Sequence, residues 1–248
     1  MRTQTRIALA QIVAERGDIQ QNIKAHLRFI AAAHDHKATM VVFPELSLTG
    51  YEPDLAHDLA LDETDARLQP LVDECEKRRI IAVVGAPVQG KLGVYIGEFI
   101  ILPDGARLLY TKIHLHKGEE KYFHAFDLNP VLILRQEIVS FAICADISNP
   151  LHAERAVENK STVYIASALV SDAGYEGDAA LLRGYAARHR MTVMLVNHGG
   201  DSGGYRTAGR SALWDSCGEL VSQTDGVGER LLVAEKAEGT WTGSVVVP

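Results

Sequence analysis

Short apolar runs that alternate with amphipathic helical segments limit this chain to a small group of folds. The runs have the length and β-branched content of buried strands. We predict strands over residues 6–12, 39–43, 80–84, 94–102, 107–112, 131–134, 138–143, 163–166, 192–197, 209–214, 219–222 and 231–235. We predict helices over residues 18–36, 63–79, 151–160 and 178–190. Alternation from end to end favours one α/β domain with layered sheets.

The chain shows no internal repeat, low-complexity block or clear linker, so we expect one domain over residues 1–248. Residues 237–248 form a C-terminal extension of that domain in this prediction. The extension is apolar for a free end, so we expect it to dock on the core or on a partner.

Charge and cysteine content exclude several classes of protein. A net charge of −7 argues against a nucleic-acid-binding surface. Three widely spaced cysteines are no disulfide framework. Residues 1–12 lack the apolar segment of a secretory signal, and no apolar run is long enough to span a membrane. We therefore expect a cytoplasmic protein without membrane partners.

Three predicted strands end at reactive side chains, namely Glu45, Lys112 and Cys144. A thiol with an ordinary pKa is mostly protonated at neutral pH and needs a base to become a nucleophile. A carboxylate within hydrogen-bond reach can act as that base. A lysine beside the thiol would stabilise the thiolate and then a tetrahedral oxyanion.

Each of these residues also has a simpler explanation when it is considered alone. Free cysteines are most often inert core residues, and Glu45 with Lys112 could form a structural ion pair. The occurrence of all three residues at strand ends in one chain favours the catalytic interpretation.

Three motifs in order carry a family resemblance: VVFPELSLTGYEP around Glu45, YTKIHL around Lys112 and FAICADISNP around Cys144. Supporting stretches are GEEKYF, a strand ending in Asn197 before Gly199, and GRSALWDSCGEL. The chain resembles the nitrilase superfamily of carbon–nitrogen hydrolases over nearly its whole length.

This resemblance implies a four-layer α-β-β-α sandwich with a Glu-Lys-Cys triad. It makes Glu45 the general base and Cys144 the nucleophile. Lys112 and the backbone N–H of Ala145 would stabilise the oxyanion. No metal and no organic cofactor are implied.

The resemblance also implies a second glutamate after the lysine. Glu119 lies three residues before Tyr122, which fits the family spacing, and Glu120 is the alternative. Four further residues are candidates for the substrate pocket, although each could equally be an ordinary loop residue: Tyr51, Tyr122, Ser148 and Asn149.

The residues after Cys144 bear on the substrate. Nitrilases usually have Cys-Trp-Glu there, whereas this chain has Cys-Ala-Asp, which favours an amide over a nitrile. No arginine closely follows the cysteine, so no cation is placed there to pair with a substrate carboxylate. This argues against an N-carbamoyl amino acid or an ω-amidic acid as the substrate. A cation could still reach the site from elsewhere in the chain, from Arg155, Arg183 or Arg206.

We therefore predict a hydrolase that cleaves a non-peptide carbon–nitrogen bond of a small amide through a cysteine thioester. The alternatives are a nitrilase, an N-carbamoyl amidohydrolase, acyl transfer to an amine, a metal-dependent hydrolase and a catalytically silent binding module. The spacing of the acidic and histidine residues over 114–124 fits no familiar metal site. We expect at least a homodimer, with residues 175–190 and the C-terminal extension as candidate contacts.

Overall fold

The computed structural model describes residues 4–248; the first three residues of the predicted domain lie outside the described part. Two mixed sheets form its centre. The first has the strand order β13-β12-β1-β2-β3-β4-β5, and the second has the order β11-β10-β9-β8-β7-β6. The strands are β1 Thr5–Gln11, β2 Met40–Val42, β3 Ile81–Gln89, β4 Val94–Ile101, β5 Arg107–Thr111, β6 Leu132–Leu134, β7 Glu137–Ile143, β8 Val163–Ala168, β9 Thr192–Asn197, β10 Ala212–Trp214, β11 Leu220–Gln223, β12 Arg230–Ala237 and β13 Thr240–Val246. The helices are α1 Ile19–Asp35, α2 Ala56–Leu59, α3 Gln69–Arg78, α4 Pro150–Glu158 and α5 Tyr175–His189.

Three apolar clusters hold the layers together. The cluster between the sheets joins Leu9 and Val42 of the first sheet to Phe141 and Val196 of the second. A second cluster packs α1 and α3 on the outer face of the first sheet. A third packs α4 and α5 on the outer face of the second sheet. The α-β-β-α sandwich predicted from the sequence is confirmed.

Strand directions bring the functional strand ends to one edge of the first sheet. β2 and β3 are parallel, β3 and β4 are antiparallel, and β4 and β5 are antiparallel. β5 therefore runs in the same direction as β2, and their carboxyl ends lie at the same edge. In the second sheet β7, β8 and β9 are also parallel.

Helix α1 follows the predicted pattern, with the Asp18 carboxylate accepting a hydrogen bond from Gln21 N at 3.0 Å. Two other helices differ from prediction at their starts. The helix predicted from residue 63 begins with the 3₁₀ turn Ala66–Leu68 and continues as α3, in whose first turn Pro70 lies. The helix predicted from residue 178 begins at Tyr175.

The segment predicted as an extension continues the first sheet as its edge strand. β13 pairs antiparallel with β12, and Ala237 lies opposite Thr240. The two residues between them, Glu238 and Gly239, both have positive φ, as in a tight hairpin turn. The side chain of Trp241 is buried in the cluster between the sheets.

Among residues 4–248, the helices lack the combination of length and hydrophobicity that a membrane crossing requires.

Candidate active site

The two sheets bring Glu45, Lys112 and Cys144 together at adjacent strand ends. Glu45 lies three residues after β2, Lys112 directly follows β5, and Cys144 directly follows β7. Glu45 and Lys112 have no exposed surface, whereas Cys144 is partly exposed. The triad predicted from the sequence thus lies at one place in the fold, with the thiol on the accessible side.

Lys112 is held between two carboxylates. Its Nζ donates to Glu45 Oε1 and to Glu119 Oε1, each at 2.7 Å. Glu119 is buried, whereas Glu120 is exposed and accepts a hydrogen bond from Gly118 N. Of the two glutamates left open by the sequence, Glu119 is the one that faces Lys112.

Residues that follow strands of the second sheet fix Glu45 at its carboxylate and at its backbone. Oε2 accepts a hydrogen bond from Leu169 N, directly after β8, at 3.3 Å. The carbonyl oxygen of Glu45 accepts one from His198 Nε2 at 2.7 Å. Gly85 on β3 passes under this turn, where a Cβ would lie 2.5 Å from Pro44 O and from Leu46 N. Any larger residue at position 85 would displace the turn that carries Glu45.

Cys144 occupies a strained backbone position at the start of the 3₁₀ turn Cys144–Ser148. Its φ of +44° lies in the left-handed region, which costs a non-glycine residue about 1 kcal/mol. Ala145 is the next residue of this turn, and the first amides of such a turn have no acceptor within it. The Ala145 N–H is thereby available beside the thiol.

The charges of the cluster favour a neutral thiol at rest. Burial and the negative charge of Glu45 raise the pKa of Cys144 well above its ordinary value, although Lys112 lowers it. Burial also raises the pKa of Glu45, against the lowering effect of Lys112. Burial opposes the charge of Lys112, but Glu45, Cys144 and Glu119 together raise its pKa. The site therefore combines a lysine ammonium with a thiol that needs a base at the moment of attack.

The four predicted pocket residues differ in their burial and in their contacts with the charged cluster. Tyr51 is buried, and its hydroxyl donates to Glu119 Oε1 at 2.7 Å. Tyr122 is half-exposed at the end of the turn that carries Glu119. Ser148 is exposed, and Asn149 caps α4 by accepting a hydrogen bond from Leu151 N at 3.1 Å. Tyr51 therefore contacts the charged cluster through its side chain, whereas Tyr122 contacts Glu119 through its backbone N–H, which donates to Glu119 O at 2.9 Å.

Sequence reasoning missed three buried polar residues near the triad: Asp146, His198 and Glu98. Asp146 entered the sequence-based predictions only as part of the Cys-Ala-Asp stretch that favours an amide, with no place in the site. Glu98 stands inside the apolar run of β4, and burial raises its pKa to about 8. An acidic residue inside an otherwise apolar strand was the signal that could have marked it. In residues 4–248, His, Cys, Asp and Glu side chains form no group of three that could hold a metal ion.

Comparison with known proteins places this geometry in a family. A model of the carbon-nitrogen hydrolase family matches residues 6–242. A glutamine-dependent NAD(+) synthetase of Thermotoga maritima is 26% identical over 228 residues, which make up 88% of this chain but 39% of that protein. The chain thus spans about two fifths of the length of that relative. An (R)-stereoselective amidase of a Pseudomonas species is 25% identical over 219 residues, with 87% of this chain and 79% of that protein covered.

Solved structures agree with this assignment. A glutamate-to-glutamine mutant of the amidase from Nesterenkonia sp. AN1 superimposes with a TM-score of 0.83 at 26% identity, covering 92% of each chain. In that structure acrylamide has added to the active-site cysteine. A variant of the same amidase in complex with butyramide gives a TM-score of 0.85 at 25% identity, covering 95% of this chain and 92% of that one. This chain therefore belongs to the carbon-nitrogen hydrolase family, as an amidase-like enzyme of the nitrilase superfamily.

Proposed function

We propose that this enzyme hydrolyses small amides through a thioester at Cys144. The observation that carries the proposal is the lysine ammonium of Lys112, which lies between the buried carboxylates of Glu45 and Glu119 beside Cys144, a partly exposed residue with a strained backbone. This arrangement supplies the base, the cation and the nucleophile that acyl transfer requires.

In the proposed reaction Glu45 takes the thiol proton as the Cys144 sulfur attacks the amide carbon. The oxygen of the tetrahedral intermediate gains negative charge opposite Lys112 and the Ala145 N–H. Glu45 returns the proton to the leaving nitrogen, the C–N bond breaks, and ammonia or an amine departs. Glu45 then deprotonates water, which attacks the thioester, releases the carboxylic acid and restores the thiol.

Glu119 and Tyr51 have supporting roles in this proposal. Glu119 Oε2 also accepts a hydrogen bond from His116 N at 2.7 Å, so the carboxylate is fixed at both oxygens. The Tyr51 hydroxyl adds a third fixed contact. Together they hold Lys112 at one position, which orients the charge that would meet the oxyanion.

The charges around Cys144 support an uncharged or cationic amide over one that carries a carboxylate. The half-buried Asp178 on α5 acts on the thiol with a negative charge and raises its pKa. Two of the three arginines that could pair with a substrate carboxylate have other surroundings. Arg155 pairs with Asp127, and Arg183 lines a groove between α5 and the β10–β11 hairpin.

Ammonia release from matched amides tests this proposal. We expect turnover of butyramide and 4-aminobutyramide, and a kcat/KM for succinamate at least about tenfold lower, because Asp178 adds negative charge near the thiol. Asp178→Asn is expected to narrow this difference, whereas Glu176→Gln should leave it unchanged because Glu176 pairs with Arg210.

The same assay tests the charge argument and, with glutamine and butyronitrile as two further substrates, the alternative functions. A higher kcat/KM for succinamate than for butyramide would contradict the charge argument. Glutamine belongs in the panel because the NAD(+) synthetases similar to this chain are glutamine-dependent. A faster rate on butyronitrile than on butyramide would replace the amidase proposal with a nitrilase.

We also propose that the enzyme is a homodimer. A groove between α5 and the β10–β11 hairpin is lined by the small residues Ala180 and Gly184 and by Trp214 and Leu220. Leu220 is half-exposed, and a Cβ at Gly184 would have open space around it outside the helix backbone. Sedimentation equilibrium is expected to give twice the mass of one chain, and Gly184→Arg should shift the equilibrium towards monomer. A wild-type protein that sediments as a monomer would contradict this proposal.

A further inference from the structure

Asp146 takes no step in the proposed reaction, yet it is the most heavily bonded carboxylate near the site. It has no exposed surface. Oδ1 accepts hydrogen bonds from Ile113 N at 3.2 Å, from His114 N at 2.8 Å and from His114 Nδ1 at 3.1 Å. Oδ2 accepts from Tyr110 OH at 2.6 Å and from Ile143 N at 3.0 Å.

The two oxygens of this carboxylate bind different arms of the active site. Oδ1 binds the two residues that directly follow Lys112, at the end of β5 in the first sheet. Oδ2 binds the amide that directly precedes Cys144, at the end of β7 in the second sheet. One side chain therefore joins the segment that carries the cation to the segment that carries the nucleophile.

The Cys144 segment needs such a contact. Cys144 has a φ of +44°, a conformation that persists in a non-glycine residue only when its surroundings hold it. Because Ile143 N is bonded to Asp146, the chain is fixed at the residue before the strained position. Burial opposes ionisation of Asp146, but the hydrogen bonds from His114, Tyr110 and Ile143 N help to keep its pKa below the ordinary value. An ionised carboxylate only accepts hydrogen bonds, and its two oxygens offer about four lone-pair sites, so the three donors at Oδ1 share the sites of that oxygen.

A polar network supports Asp146 from behind. Tyr110 OH lies 3.0 Å from His152 Nε2, and His152 Nδ1 lies 2.8 Å from Tyr164 OH. All three of these side chains are buried between β5, α4 and β8. The far end of the network, Tyr164, contacts neither arm of the site, so it provides a matched control.

We propose that Asp146 is a positioning residue that sets the separation between the Lys112 ammonium and the Cys144 thiol. The proposal rests on the function proposed above, because it assumes that this separation matters for acyl transfer. It assigns to Asp146 no contact with the substrate and no proton transfer.

Asp146→Asn tests the proposal because it affects the two arms differently. An asparagine can keep its oxygen at the Oδ1 position, where two backbone amides donate. Its NH₂ group then occupies the Oδ2 position, where Tyr110 OH can reverse and accept but Ile143 N–H finds no acceptor. The Lys112 arm keeps its anchor, and the Cys144 arm loses its anchor.

We expect kcat on butyramide to fall about 100-fold while KM changes less than about threefold, as for a small misplacement of reacting groups. In a Cys217→Ala background, the pH profile of Cys144 alkylation by iodoacetamide should move to higher pH, because the thiol loses part of the field of Lys112. A purely structural role would not move this profile.

Tyr164→Phe is the control, since it removes a buried hydrogen bond from the same network without touching either arm. The urea unfolding midpoint and kcat are measured for Tyr164→Phe and for Asp146→Asn. The comparison shows how much of the loss of kcat follows from a loss of stability alone. An equal loss of kcat in both variants, or an unchanged alkylation profile in folded Asp146→Asn, would overturn the proposal.

A second variant is needed if Asp146→Asn does not fold. His114→Phe removes one bond of the Lys112 arm and should shift the alkylation profile in the same direction. An unshifted profile in this variant overturns the proposal. Turnover by the wild-type enzyme is unaffected by these results and tests the proposed function separately.

Discussion

Cys144→Ala is expected to lower amide turnover by at least about 10⁴-fold, because no other group near the substrate can form the thioester. Ammonia release from butyramide measures this loss. The fold should persist, since alanine removes only one sulfur atom from a partly exposed position. Far-UV circular dichroism and the urea midpoint check that the inactive variant is folded.

The other two cysteines provide matched controls for the Cys144 result. Cys217 is exposed in the β10–β11 turn, and Cys217→Ala should keep full activity. Cys75 is buried on α3, and burial raises the pKa of its thiol to about 12, so it should not react with alkylating reagents. Retained turnover in folded Cys144→Ala would refute the thioester mechanism.

Acrylamide offers a direct view of the reactive thiol. It has added to the active-site cysteine in a structure of a glutamate-to-glutamine mutant of the similar Nesterenkonia amidase. Intact mass measurements and peptide mapping are expected to find the adduct at Cys144, and butyramide should protect against it. This pattern would link the nucleophile to the amide-binding position in one experiment.

The active-site strands were predictable from sequence because each one carries its signal locally. The apolar runs that end at Glu45, Lys112 and Cys144 indicate buried strands whatever surrounds them. The N-cap at Asp18 is also a local signal, because it depends on the amide of Gln21, three residues away. Such features need no knowledge of the tertiary fold.

Other features depend on contacts between distant parts of the chain. Glu119 faces Lys112, whereas Glu120 faces solvent. Which of these two neighbours faces inward depends on how the loop after β5 packs against that strand. β13 is part of the first sheet because β12 provides an open edge for it. Asp146 looks like a turn residue in the sequence, and its bonds to Ile113 and His114 exist only when the two sheets meet.

Lys112→Met should have the second-largest effect, because it removes the one positive charge that lies between Glu45 and Glu119. Both carboxylates are buried and lie 2.7 Å from Lys112 Nζ. Removing one partner of a buried ion pair typically costs about 3–5 kcal/mol of unfolding free energy. Loss of the cation opposite the oxyanion should lower kcat by at least about 10³-fold. Urea unfolding and butyramide turnover measure the two effects, and Lys121→Met, at an exposed lysine of the turn that carries Glu119, is the control.

The pH dependence separates electrostatic destabilisation from a loss of packing. The pKa of Glu45 is already raised by burial, and without Lys112 it should rise further. At pH values between the pKa of Glu45 in the unfolded chain and its higher pKa in the folded variant, the folded variant binds more protons than the unfolded chain. Its stability is greatest below the unfolded pKa and is lost as pH rises through the folded pKa. The stability deficit relative to wild type should therefore shrink as pH falls from about 8 to about 5. A pH-independent deficit would contradict the electrostatic explanation.

The double variant Lys112→Met/Glu119→Gln distinguishes stability from catalysis at this site. Replacing Glu119 with its neutral isostere removes one of the two unpaired carboxylates, so part of the lost stability should return. The oxyanion still lacks the cation that Lys112 provides, so turnover should stay at the level of the single variant. If activity returns together with stability, Lys112 serves only to neutralise the buried glutamates, and the oxyanion must be stabilised by backbone amides alone.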